Sequence, residues 1–98
     1  MTKPTNPLER SFAIGSVPIA QPLALAPMAE VTDTYYRSLI KELGGVGLVV
    51  SEFISSVGVS LGIERVLAEM RFDAVERPIG IQIYGADAGI MAKAAGMV

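Results

Sequence analysis

Three apolar runs in this sequence end in polar residues, and those ends hold the side chains capable of chemistry. Leu23 to Ala26 stops at Pro27 and gives way to Met28, Ala29, Glu30, Thr32 and Asp33. Val46 to Val50 leads into Ser51, Glu52 and Phe53. The third run, IGIQIY over residues 79–84, carries a single amide, Gln82. There is no cysteine and no histidine, which removes disulfides, thiolate nucleophiles, imidazole bases and the commonest zinc ligands together. Catalytic work by these residues must therefore use carboxylates, hydroxyls, amides, Lys or Arg, or a bound cofactor. No metal site is expected.

Each candidate also has a plainer reading. Gln82 in an aliphatic strand is either a partner for a polar ligand or a buried amide satisfied by backbone. Glu52 is either a group that positions substrate or a cap for the segment after it. Arg37 can meet a phosphate, or pair with a nearby carboxylate; a single arginine is no basic patch, which favours the second. Asp33 and Asp87 stand immediately before helical segments and read as caps rather than acids. Tyr35 and Tyr36 can stack on a base or serve as half-buried packing residues, and Pro27 and Met28 taken alone are ordinary strand-end packing.

These positions need elements to hold them. FAIG and VPIA, turning at Gly15 and Ser16, read as two short extended pieces, with Pro18 and Pro22 keeping them out of a central sheet position. Leu23 to Met28 is the first full strand, ending where Pro27 removes a ladder donor, and it is apolar on both faces, as a strand covered on both sides should be. A helix follows, capped by Thr32 or Asp33, with Tyr35, Tyr36, Leu39, Ile40 and Leu43 as its apolar face and Gly44 and Gly45 as its stop. Val46 to Phe53 is the second strand. Ile54 to Gly62 has no clean period and reads as a loop or a ragged helix start, whereas Ile63 to Arg71 has helical spacing. Asp73 to Pro78 is a charged turn, Ile79 to Tyr84 the third strand, and Asp87 caps a last helix from Ala88 to Val98. After the hairpin the order is βαβαβα, which implies parallel strands joined by right-handed crossovers.

The chain has 98 residues, about half of them hydrophobic, and a formal net charge of −2. That supports one folded core and gives no global electrostatic case for binding nucleic acid or an anionic membrane. No apolar run approaches the roughly 20 residues of a membrane helix, and the polar, proline-bearing residues 1–11 read as a flexible leader without the apolar core of a signal peptide; a cytoplasmic protein is the default expectation. Three βα units leave long sheet edges unpaired, so residues 12–98 are expected to be the N-terminal portion of a larger α/β fold. The closed forms open to it are a (β/α)8 TIM barrel, which needs about 250 residues, and a doubly wound sheet. The leading hairpin favours the barrel, whose strand bottoms need a cover.

At LALAPMAEVTD, with the hairpin before it and LVVSEFIS, ERPIGIQIYGAD and MAKAA after it, the chain resembles the tRNA-dihydrouridine synthases, flavin enzymes built on a (β/α)8 barrel. The order and spacing of these segments match over residues 12–98. The resemblance implies FMN across the carboxyl end of the barrel, with Pro27, Met28 and Ala29 under its ring system and Gln82 hydrogen-bonded to the ring. Glu52 and Arg37 are the candidates on the substrate side. It also implies NADPH as the reductant, uridine in tRNA as the substrate, contacted mainly by regions this chain does not contain, and a cysteine from a later strand as proton donor. No catalytic residue is therefore expected among these residues, and the chain alone is expected not to turn over. The chain departs from the family's APMAGVTD at Glu30, where a carboxylate replaces glycine. Two further readings are another FMN barrel acting on a small pyrimidine such as dihydroorotate, and a non-catalytic small α/β binding module.

Overall fold

The fold is that of a computed structural model, which describes residues 10–98. The expected leader lies, up to residue 9, outside the described residues. In chain order the elements are β1 (Phe12–Ile14), β2 (Val17–Ile19), β3 (Ala24–Leu25), α1 (Thr34–Leu43), β4 (Leu48–Val50), β5 (Ile54–Ser55), α2 (Ser56–Ser60), α3 (Glu64–Ala68), a 3-10 turn (Ala74–Glu76), β6 (Ile79–Gly80), β7 (Ile83–Tyr84) and α4 (Ala88–Met97). The strands β1 and β2 pair antiparallel, and Gly15 turns between them at a φ of +58°, a conformation that costs glycine nothing. The hairpin sits at the amino ends of the strands that follow. Ile19 is buried, and a Cβ on Gly47, just before β4, would collide with the Gln21 carbonyl and an Ile19 methyl.

Every later strand pairing is parallel. β4 lies between β3 and β6, and a second pair joins β5 to β7. The α/β class with alternating strands and helices is therefore present, with two differences in detail. Of the runs expected as single strands, residues 79–84 are broken into β6 and β7 and residues 46–53 pair only over β4, because the stretch from β4 to β5 carries an extra residue between the paired positions. The segment 54–62, without a clean period in sequence, forms β5 and α2. Its period is obscured because two elements share nine residues.

The core cluster lies where α2, α3 and α4 meet the second strand pair: Ile54, Val59, Val66 and Ala94, with Leu67, Met70, Ile81 and Ile83 packed against it. Gly58 permits this, since a Cβ there would press into the Val66 side chain. Along the third run, Ile81 and Ile83 face this core, so the pleat sends Gly80, Gln82 and Tyr84 to the opposite face. That face is not covered as the sequence suggested: Ala24, Ala26 and Met28 on the first strand are exposed, as are Gln82 and Tyr84.

Helix α1 differs most from its expected face. Asp33 caps it, accepting from the Tyr36 amide at 2.8 Å. Tyr36 and Ile40 are half-buried, but Tyr35, Leu39 and Leu43, on one stripe, are 81%, 53% and 74% exposed. The residue α1 buries is Arg37. A polar partner under the helix decides the rotation: α1 packs on the 3-10 turn, where a carboxylate waits for the guanidinium.

Candidate functional site

The turn after β3 is closed by a threonine. The Thr32 hydroxyl accepts from the Met28 amide at 2.7 Å and donates to the Met28 carbonyl at 3.1 Å. The Val31 and Thr32 amides also donate to that carbonyl, each at 3.0 Å. Thr32 is fully buried while Met28, Ala29 and Glu30 stand exposed. Glu30 lies in the left-handed region at φ +65°, where a side chain costs about 1–2 kcal/mol relative to ordinary backbone.

A buried ion pair supports this turn from below. The Arg37 Nε donates to Glu76 Oε1 at 2.6 Å, and its Nη1 donates to the Thr32 carbonyl at 2.7 Å. The other oxygen of Glu76 accepts from the Thr34 hydroxyl at 2.5 Å and from the Asp73 amide at 2.6 Å. With side-chain exposures of 4% and 0%, both charges have left water, and the added hydrogen bonds are what offset their desolvation. Sequence reasoning missed Glu76. The D-x-x-E spacing of Asp73 and Glu76 is a capping-box signature, and the box does form, yet nothing local says that the same carboxylate reaches a helix 39 residues away.

The break in the second and third strands is a β-bulge. Ser51, Glu52 and Phe53 separate the paired stretches on one strand, and only Ile81 and Gln82 separate them on the other. Backbone pairing continues on both sides, from the Ser51 amide to the Gly80 carbonyl and from the Ile54 amide to the Gln82 carbonyl, each at 2.8 Å. Within the bulge the Ser51 hydroxyl takes the place of a ladder carbonyl: it accepts from the Gln82 amide at 2.9 Å and donates to the Glu52 carbonyl at 2.9 Å. Phe53 and Tyr84 meet edge to face beside it, ring centroids 5.3 Å apart, and both are exposed.

A cleft of about 680 Å³ opens at this end of the strands, lined among others by Ala29, Glu30, Arg37, Glu52, Arg65 and Tyr84. Glu30 and Glu52 share the cleft, whereas Pro27, Met28 and Gln82 lie outside its lining. One oxygen of Glu52 is buried without a hydrogen-bond partner among the described residues. Near the far end of α1, Lys41 donates to the Gly47 and Arg77 carbonyls at 3.1 and 3.3 Å, and burial holds its ammonium below the usual lysine range. Among the described residues there is no cluster of three or more metal-type ligands, and no helix is long and apolar enough to cross a membrane.

Residues 24–98 match the model of the dihydrouridine synthase (Dus) family. The chain belongs to that family. It is 43% identical over 83 residues to tRNA-dihydrouridine synthase B of Pseudomonas putida, an alignment covering 84% of this chain and 24% of the relative. It is 42% identical over 82 residues to the synthase B of Xanthomonas campestris, with the same coverage. A probable tRNA-dihydrouridine synthase of Rickettsia conorii is 37% identical over 87 residues, 86% of this chain and 25% of that one. The chain thus spans about a quarter of the length of these relatives. No solved structure matches it.

Against the Dus pattern the four residues that the resemblance assigned to the cofactor fall into two groups. Met28 and Ala29 are exposed at the turn after β3 and Pro27 is half-buried beneath them; Gln82 is exposed two positions beyond β6. Because β3, β4 and β6 are parallel, both groups lie at the carboxyl end of the sheet. The reading of Gln82 as a buried amide fails, since the bulge and the pleat turn it away from the core. Of the two substrate-side candidates, Arg37 is 3% exposed and paired with Glu76, the carboxylate pairing its sequence context favoured; its guanidinium is spent inside the protein. Glu52 reaches the cleft.

Proposed function

We propose that this Dus chain forms the first sector of a TIM barrel and supplies part of the floor of an FMN site used to reduce uridine in tRNA to 5,6-dihydrouridine, with NADPH as the source of electrons. The observation that carries the reading is the exposed amide of Gln82, turned off the core at the same strand end as the Met28–Ala29 turn. A flavin ring asks for this combination: an apolar surface close to backbone, and a neutral group able both to donate and to accept at its polar edge. The buried oxygen of Glu52, unpartnered among the described residues, is a second polar group free to meet a ligand.

When bound, the flavin supplies the hydride. The chain's own residues bind and orient. Pro27 ends strand pairing, so the following backbone is free to lie under a ring. Thr32 locks that turn through both polar groups of Met28, and Arg37 holds the Thr32 carbonyl, which gives the floor a rigid underside. Gln82 fixes ring orientation, and Glu52, in the neighbouring cleft, offers an acceptor to the substrate side. None of these can serve as the cysteine proton donor that the family resemblance implies, and the chain contains no cysteine.

Titration of FMN with the chain, followed by flavin fluorescence, is expected to show saturable quenching that weakens in Gln82→Ala. Incubated with unmodified tRNA, FMN and NADPH, the chain alone is expected to form no dihydrouridine. Quenching unaffected by loss of the Gln82 amide, or dihydrouridine produced by this chain by itself, would overturn the reading.

A further inference from the structure

We infer that Ser51 is a positioning residue for the flavin-facing amide, acting through the backbone of Gln82; this rests on the FMN reading above. Three residues stand against two between the paired stretches of the second and third strands. An unmatched residue in a ladder leaves one amide without a carbonyl opposite it. Here that amide belongs to Gln82, and the group that meets it is the hydroxyl of Ser51 at 2.9 Å. The same hydroxyl donates to the Glu52 carbonyl at 2.9 Å, so both of its hydrogen-bonding roles are used and its rotation is fixed.

Gln82 is consequently held on both sides of its own backbone, its amide by Ser51 and its carbonyl by the Ile54 amide at 2.8 Å. With the backbone pinned, the side chain leaves the sheet in one direction, toward the open face. Ser51 itself is fully buried and cannot touch a ligand. Its hydroxyl is also joined to the backbone carbonyl of the next residue in the bulge, Glu52, which lines the cleft. One buried hydroxyl thus ties together the backbones of Gln82 and Glu52. Alanine at position 51 keeps the apolar packing and removes the acceptor. The Gln82 amide then loses its partner, and the side chain loses its fixed origin.

A thermodynamic cycle on FMN affinity tests this. Wild type, Ser51→Ala, Gln82→Ala and the double variant are titrated with FMN by fluorescence quenching, and Ser51→Thr, which restores a hydroxyl, is titrated beside them. Exchange of the Gln82 backbone amide is followed by NMR without flavin. Ser51→Ala is expected to weaken FMN binding about three- to tenfold, the range of one net hydrogen bond. It is also expected to accelerate exchange of the Gln82 amide. In the Gln82→Ala background the same change is expected to have less than about a twofold effect, because the group it positions is gone. Ser51→Thr is expected to recover most of the affinity, and where the added methyl unfolds the chain, amide exchange in Ser51→Ala decides alone. Equal losses in both backgrounds, or a Gln82 amide whose exchange does not change, overturn the role of Ser51. A wild-type chain that quenches no FMN overturns the flavin reading itself.

Discussion

The buried Arg37–Glu76 pair makes a quantitative expectation possible. Glu76→Ala removes the acceptor of three hydrogen bonds, from Arg37, Thr34 and the Asp73 amide, and leaves a guanidinium that is 3% exposed without a counter-charge. Breaking one side of a buried pair costs about 3–5 kcal/mol. Against a total stability of roughly 5–15 kcal/mol for a domain of this size, that is a large fraction, and with about 4–8 °C lost per kcal/mol the midpoint should fall by at least about 12 °C. The double variant Arg37→Met, Glu76→Leu replaces both charges by apolar groups of similar length. Because the intact pair roughly breaks even against its own desolvation, the double variant should recover most of the loss. Thermal and urea denaturation followed by circular dichroism measure both variants. Amide exchange at Val31 and Thr32, whose partner turn hangs from Arg37 through the Thr32 carbonyl, should rise in the single variant. A Glu76→Ala loss below about 1 kcal/mol, or a double variant less stable than Glu76→Ala, would refute the view of the pair as a buried, mutually dependent unit.

Two other changes follow from the backbone. Glu30→Gly relieves the left-handed strain at φ +65° and should stabilise the chain, by about 1 kcal/mol or less once glycine's greater unfolded-state entropy is set against it; a lower melting temperature than wild type would contradict this. Gly47→Ala should destabilise strongly, since its Cβ would collide with the Gln21 carbonyl and backbone cannot move aside cheaply; overpacking of this kind costs about 1–3 kcal/mol or more, and an unchanged urea midpoint would show that the hairpin does not sit against β4 as described.

Much of the fold was legible in the sequence for local reasons. Gly15 and Ser16 mark the hairpin, Asp33 and Asp87 the caps of α1 and α4, and Gly44 the end of α1, because turn and cap chemistry depends on one or two residues at a time. The alternation of apolar runs with helical segments was enough to imply parallel strands, and the order of short segments around LALAPMAEVTD was enough to suggest the family. Glu30 stood out as the departure from a glycine, and its φ of +65° supplies the physical reason that glycine suits that place.

Tertiary structure decided what local rules cannot see. The apolar stripe Tyr35, Leu39 and Leu43 faces outward, because a carboxylate contributed by Glu76 draws Arg37 under the helix and sets its rotation. The pairing of residues 48–55 with residues 79–84 is interrupted because the two strands are offset by one residue, a property of the pair and not of either run. That offset turns Ser51 into the bonding partner of Gln82, and it makes the one amide in an aliphatic strand an exposed group at the carboxyl end of the sheet. The sequence by itself marked which residues are candidates for the site. Only the pairing across 31 residues between Ser51 and Gln82 decided how the backbone of that residue is held.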